Sequence, residues 1–480
     1  MVDAAQAGRE GSASRGGGRR SARATDIAAQ PSLSEVDGGR PWRRATAWLA
    51  GLSVFFYASY SFSNWLASQR AGVPVVVYDW EHAIPFVAWM IIPYWSTNLL
   101  FAVSLFFCRS RTELDSHAKR LLTAQVVAVS CFILFPLRTS FPVPKLDGIF
   151  AFFFAALGAF DLPYNQAPSL HIAVTTILFA LYGKVLPRWA VPLFAAWSLL
   201  VVGSVLMTYQ HHFIDIPTGF LLGLVCIWIW PPDGGNRLLH WRLTDDPQRR
   251  RIAGRYALAA AAMTLPAAVL GSGFLWLMWP AAALGAVSLA YLALGCQVFA
   301  KTAEGRIAWP VRLILAPYLA GAWLKARLRT PGEARATQIA DGVFRGRFPS
   351  ARDCADVKSV VDLSCAFACP AFRGQWISIP MLDLVAPEPE SVRAAVDAIE
   401  KTRPQGPVLV CAGSGHVQSA AVLAVWLVRT GQVAHLEAGL DLLGRKDSRL
   451  ALTSAQVQVM TEAVQHAVTP ENPPMAAARP

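Results

Sequence analysis

Charge is scarce in this sequence. Only 15% of its 480 residues are Asp, Glu, Lys or Arg, against 54% that are hydrophobic. So few ionic groups exclude an ordinary soluble protein and favour a membrane class. Metal-binding patterns are lacking too. The eight cysteines show no disulfide framework, and Cys365 and Cys369 have no further pair of ligands at zinc-site spacing. Neither a metal nor a cofactor is therefore expected. The net charge of +12 is not drawn out as one basic stripe. It gathers at Arg9 to Arg23, Arg40 to Arg44, Arg109 to Arg120 and Arg237 to Arg255, each beside an apolar run. Cytoplasmic ends of membrane spans look this way, and nucleic acid is excluded as the partner. Internal repeats are absent.

What is present is a series of apolar segments near 46–66, 87–107, 118–137, 167–183, 188–208 and 213–231, with a further pair near 256–274 and 276–296. Crossing a bilayer takes about 20 residues at 1.5 Å rise. Lys and Arg fall in alternate connections, which places the N-terminus in the cytoplasm and turns the loops 67–86, 138–166 and 209–212 outward. An even number of spans returns the C-terminus to the cytoplasm. Residues 1–40 are rich in Gly, Ala, Ser and Arg and bury too little to fold; 471–480 form a second tail. The expected domains are a membrane domain at 41–235, two added helices and a basic interfacial helix at 236–332, and a soluble domain at 333–470. In that last part short apolar strands (359–364, 376–382, 407–411) alternate with helical patterns (389–402, 418–430, 453–467). Such alternation predicts a small α/β domain with a mainly parallel sheet.

Ionisable residues at span ends are costly and become functional candidates. Ala167-Pro168-Ser169-Leu170-His171 opens the fourth span. Pro168 fits a first helical turn, Ser169 can cap it, and the helix start offers amide groups to an anion. Ser204 precedes His211-His212-Phe213-Ile214-Asp215, where His211 and Asp215 stand four apart and, if helical, share a face. Two histidines and a carboxylate suit phosphoryl chemistry, in which one imidazole attacks phosphorus and the other protonates the leaving oxygen. Arg138 and Lys145, in the loop after the third span, are the available cations. His212 reads as a structural spacer.

These motifs resemble the type 2 phosphatidic acid phosphatase superfamily, whose pattern is Pro-Ser-Gly-His, then Ser-Arg, then His-x-x-x-Asp. The resemblance covers roughly 85–231. It implies His211 as a nucleophile passing through a phosphohistidine, Asp215 as its partner and His171 as general acid, with Arg138, Ser169 and Ser204 on the phosphate. Leu170 replaces the motif glycine, Val205 replaces an arginine, and the first motif is reduced to Arg138 and Pro144. With so few cations a diester suits the site better than a monoester dianion. The pattern is closest to the branch holding inositol phosphorylceramide and sphingomyelin synthases. Membrane phospholipids or lipid phosphates are the implied substrates. A bacterial inner-membrane enzyme with its site facing the periplasm is the corresponding expectation.

The C-terminal part carries Gly342-Val343-Phe344-Arg345-Gly346-Arg347, Pro380-Met381-Leu382-Asp383-Leu384 and Val408 through Ser419. It resembles the dual-specificity protein phosphatases, whose strand ends in His-Cys-x-x-Gly-x-x-Arg-Ser. Aligning Gly415 and Ser419 puts Cys411 at the histidine, Ala412 at the cysteine and Gln418 at the arginine. An alanine cannot attack phosphorus, and glutamine lacks the cationic fork. Asp383 matches the family's general acid. A pseudophosphatase is expected, with a phosphorylated ligand as its implied partner. Two other readings stay open: a non-catalytic membrane scaffold sensing phosphorylated ligands, and an active cytoplasmic protein or phosphoinositide phosphatase using Cys411.

Overall fold

The computed structural model describes residues 40–329, 336–354, 356–413, 416–446 and 454–468. Arg40 aside, the two expected tails lie outside them. The described chain is mostly helical. Among the described residues eleven α-helices come before the sheet: α1 (Trp42–Ser68), α2 (Ile91–Phe107), α3 (Arg111–Leu134), α4 (Gly148–Gly158), α5 (Leu170–Val185), α6 (Ala190–Met207), α7 (Asp215–Ile229), α8 (Pro247–Leu270), α9 (Met278–Leu289), α10 (Trp309–Ile314) and α11 (Ala316–Arg329). Five described helical stretches are long and apolar enough to cross a membrane: Ala88–Phe107, Arg111–Leu134, Ala190–Met207, Pro247–Leu270 and Gly273–Phe299. α5 and α7, expected as spans, have 16 and 15 residues. Large apolar side chains such as Val54, Leu99, Leu199, Leu258 and Val269 point outward at 66–72% exposure. An apolar exterior of this kind is what hydrocarbon contact requires.

Local chemistry sets the helix ends. Ser110 accepts the Glu113 N–H at 3.1 Å while the Glu113 carboxylate reaches back to the Arg109 N–H at 2.8 Å, a reciprocal cap. Asp246 caps α8 through the Gln248 N–H, with Pro247 in the first turn. Buried Arg120 donates to the Trp230 carbonyl at 2.7 Å, closing the end of α7. The centre of the bundle is α5 packed on α3 and α7. Ile177 and Ala173 are fully buried there with Ala124 and Ala128 of α3. The approach to α7 is close enough that a Cβ on Gly219 would lie 2.3 Å from the Ser169 carbonyl oxygen.

The C-terminal part has a five-stranded sheet of β1 (Ala336–Ala340), β2 (Val343–Arg347), β3 (Ser359–Ser364), β4 (Gln375–Met381) and β5 (Val408–Ala412), in the order β1-β2-β5-β3-β4. β1 and β2 pair antiparallel; the other neighbours are parallel. Helices α12 (Pro389–Thr402), α13 (His416–Arg429), α14 (Leu436–Lys446) and α15 (Ser454–Val468) complete it. Val361, Leu363, Val408 and Val410 pack with α12 and α13 into one core. On the other face Val360, Leu409 and Cys411 meet Cys354 and Trp376.

The segment from Lys301 onward begins as a loop and continues as the helices α10 and α11. Residues 301–307 form a loop against the sheet domain: Cys369 N–H donates to the Gly305 carbonyl and Ser378 N–H to that of Ala303. The Lys301 ammonium is fully buried and paired with Asp362, and it also donates to Ser364. α10 then packs on α7, with Val311 and Leu315 buried. Lys301 is therefore part of the packing of the sheet domain.

Candidate functional site

The α5–α7 contact brings the sequence motifs together. Ser169 caps α5, and its N–H donates to the Asp215 carbonyl at 3.1 Å, tying the first motif to the second. Asp215 starts α7, so the 209–214 turn directs His211 back over the α5 N-terminus. His211 Nδ1 lies 3.1 Å from Asp215 Oδ2, which also accepts the His212 N–H at 3.1 Å. A carboxylate on Nδ1 fixes the tautomer that leaves Nε2 with its lone pair free. That Nε2 faces Ser169 Oγ at 3.4 Å. The rings of His171 and His211 have centroids 6.2 Å apart. Tyr94 of α2 stacks on His171 at 4.0 Å and fixes its plane. The His171 Nε2 atom is buried without a partner in the protein.

Two of the residues assigned to phosphate sit elsewhere. Ser204 is fully buried and donates to the Val201 carbonyl of its own helix. Arg138 turns to the 67–86 loop, where its Nε–H donates to the Val73 carbonyl at 3.2 Å. Of the six membrane-domain candidates, His171, His211, Asp215 and Ser169 meet, while Ser204 and Arg138 do not.

Two cavities meet at this point. One of about 260 Å³ runs between α1, α2, α3 and α5 and is lined by Leu52, Phe56, Phe101 and Val174, with His171 at one end. The other, about 430 Å³, opens among the 138–166 and 209–214 loops and is lined by Ser140, Asp161, Asn165, Gln166 and His211. Tyr60 lines both. No lining residue of the second cavity is Lys or Arg; its charged side chain is Asp161, held by Asn64 Nδ2 at 3.2 Å and Tyr60 OH at 3.3 Å. Sequence reasoning missed Asp161, although an acid ten residues before His171 beside an apolar run was a visible signal. It also treated His212 as a spacer, whereas the structure ties that ring to Glu81 and Ser140. Among the described residues no group of His, Cys, Asp and Glu is arranged to hold a metal ion.

In the soluble domain Gly415 lies outside the described residues. Cys411 sits inside β5, fully buried, paired across to Gly346 and Asp362. Burial pushes its thiol well above the ordinary range, away from the thiolate that attacks. The Cys411 side chain belongs to the sheet core, packed with Val360, Leu409 and Trp376. Gln418 is buried and donates to the Leu382 carbonyl at 2.8 Å. Ser419 Oγ accepts from Arg345 Nε at 3.2 Å. The Asp383 carboxylate closes over the loop start, where a Cβ on Gly413 would lie 2.9 Å from it. Ala412 ends β5 and offers no reactive atom.

No protein-family model matches the chain, and no curated protein matches it. Solved structures do match over about a quarter of the chain. Tk-PTP in the active form is 24% identical, covering 27% of this chain and 97% of its own, with a TM-score of 0.25. Human DUSP28 is 20% identical over 28% and 97%, with a TM-score of 0.26. PTPMT1 in complex with PI(5)P is 16% identical over the same shares, with a TM-score of 0.26.

Proposed function

We propose that the chain is an integral membrane enzyme that cleaves or transfers the phosphoryl head group of a lipid, with His211 as nucleophile, Asp215 as its orienting partner and His171 as general acid. The observation that carries this reading is the pair of imidazoles, 6.2 Å between centroids, one bound to a buried carboxylate through Nδ1. His211 Nε2 attacks phosphorus and forms a phosphohistidine, while His171 protonates the departing lipid oxygen. In the second step water or another hydroxyl attacks, returning the proton to His171. Free amides at the start of α5 offset the charge that develops on the phosphoryl oxygens.

The cavities divide the substrate. The apolar one beside His171 accepts acyl chains arriving from the bilayer. The polar one beside His211 takes the head group. Without a lysine or arginine in its wall, and with Asp161 present, it disfavours a dianionic monoester and suits a diester whose head group is neutral or cationic. We place this site on the outer face of the membrane, with both termini in the cytoplasm, following the alternation of basic connections. The soluble domain acts here as a non-catalytic partner, because Ala412 stands at the nucleophile position and Cys411 is sealed in the sheet.

The test is a mass-spectrometric screen of lipid products from the purified full chain and from a His171→Ala, His211→Ala double variant. Turnover of phosphodiester lipids, with phosphatidate consumed at least tenfold more slowly, is expected from the wild type alone. Equal product patterns from the two proteins would end this reading.

A further inference from the structure

Two carboxylates hold the turn that carries His211, and they do so in the same way one residue apart. Asp215 Oδ2 accepts the His212 N–H at 3.1 Å and lies 3.1 Å from Nδ1 of the His211 ring. Glu81 Oε2 accepts the Phe213 N–H at 2.8 Å and lies 3.2 Å from Nδ1 of the His212 ring. Asp215 is local to the turn, whereas Glu81 comes from the short helical segment Asp79–Ala83 of the 67–86 loop. Its other oxygen accepts the Tyr78 N–H at 2.8 Å. Three N–H donors thus satisfy a carboxylate that is only 1% exposed. Trp80, next to Glu81 in the chain, packs edge-on against Phe213 at 4.9 Å.

The far side of the His212 ring is occupied as well. Ser140 N–H donates to Nε2 at 3.0 Å. An amide can only donate, so Nε2 is the acceptor and the ring proton sits on Nδ1, toward Glu81. The ring is neutral and its one lone pair is taken. It moves no proton; it holds. Ser140 opens the run Ser140-Phe141-Pro142-Val143, which lines the cavity of about 430 Å³ that His211 also lines. The Phe141 ring packs against that of His212 at 4.9 Å. One imidazole, 2% exposed, therefore joins the cavity wall to the turn bearing His211.

We propose, on the lipid reading given above, that Glu81 and His212 are positioning residues for the phosphoryl step. The Glu81 arm sets the direction of His211 Nε2, and the Ser140 arm sets the head-group wall against it. Asp215 alone fixes the His211 ring to α7; Glu81 fixes the backbone of the turn to a second, distant loop. Glutamine at 81 cannot replace it, because its NH₂ group would have to face an N–H donor. A displacement of about 1 Å at a reacting atom costs about 10²-fold in rate.

The test follows labelling of His211 in the full chain after rapid mixing with micelles of phosphatidylethanolamine and phosphatidylglycerol, each labelled at phosphorus. The rate reports alignment, and the amplitude reports the fraction of protein that is folded. Glu81→Gln should slow labelling about 10²-fold while keeping the amplitude. Glu81→Asp keeps the charge with its oxygens one bond short and should fall between. His212→Asn presents an amide N–H where Nδ1 stood, so it keeps the Glu81 arm and loses the Ser140 arm. Its labelling rate at saturation should stay within about threefold of wild type, while the half-saturating lipid concentration rises at least about fivefold, the effect of one unpaired amide. Loss of amplitude at an unchanged rate, or wild-type behaviour in Glu81→Gln, overturns the proposal. So does His212→Asn slowing labelling as much as Glu81→Gln. Absence of label on wild-type His211 is a separate failure, which removes the lipid reading and this inference together. A labelled wild type with unaltered variants removes the inference alone.

Discussion

Replacing His211 with alanine is expected to lower head-group turnover by about 10⁴-fold or more, with little change in KM. Losing a nucleophile removes the covalent path altogether, and losses of that order follow when a member of a coupled catalytic unit is deleted. A factor of 10⁴ corresponds to about 5.5 kcal/mol of barrier. In the proposed reading substrate contacts spread over two cavities of about 260 and 430 Å³, so binding should survive the loss of one imidazole. Asp215→Asn should cost less, about 10²- to 10⁴-fold, since an amide can still accept a bond from the ring while failing to stabilise the cationic form. Steady-state kinetics on a phosphodiester lipid in mixed micelles checks both. Retention of a tenth of wild-type kcat by His211→Ala would remove this residue from the chemistry.

The second large effect concerns the soluble domain. Lys301→Ala should destabilise it by about 3–5 kcal/mol, the cost of leaving a buried charge without its partner. Both side chains of the Lys301–Asp362 pair are fully buried, and Asp362 also accepts the Trp376 indole N–H at 3.0 Å. Since Lys301 precedes β1 by more than thirty residues, a fragment beginning at 336 lacks it. That fragment should melt roughly 10 °C or more below one beginning at 295. In the full chain, Lys301→Ala should raise hydrogen exchange at the Val360 to Leu363 amides of β3 by at least tenfold. Unchanged exchange, together with equal melting of the two fragments, would show that the loop at 301–307 merely rests on the domain.

Sequence patterns defined those parts whose physics is local. β3 and α12 fall on 359–364 and 389–402, the ranges read from alternation and from helical periodicity. The α5 cap at Ser169 is legible for the same reason, since it depends on residues within one helical turn. His211 and Asp215 do meet, but not on the shared helix face that their spacing suggests: α7 begins at Asp215 and His211 lies in the turn before it. α4 was not legible, because an apolar run of 11 residues between two turns is too short for a span and was absorbed into a loop. Arg138 shows a different limit. Its guanidinium has a choice between substrate phosphate and a neighbouring carbonyl, and only the path of the 67–86 loop decides for Val73. The pairings of Glu81 with His212 and of Lys301 with Asp362 bridge 131 and 61 positions. Nothing in periodicity or spacing links residues so far apart; only the path of the folded chain does.

In the proposed mechanism one imidazole carries the phosphoryl group between donor and acceptor. Rapid quenching of the full chain with a lipid diester labelled at phosphorus, followed by peptide mapping, tests this most directly. Label on His211, stable in base and released in acid, is the expected outcome. Quenched protein that forms labelled product while carrying no label on His211 would contradict it.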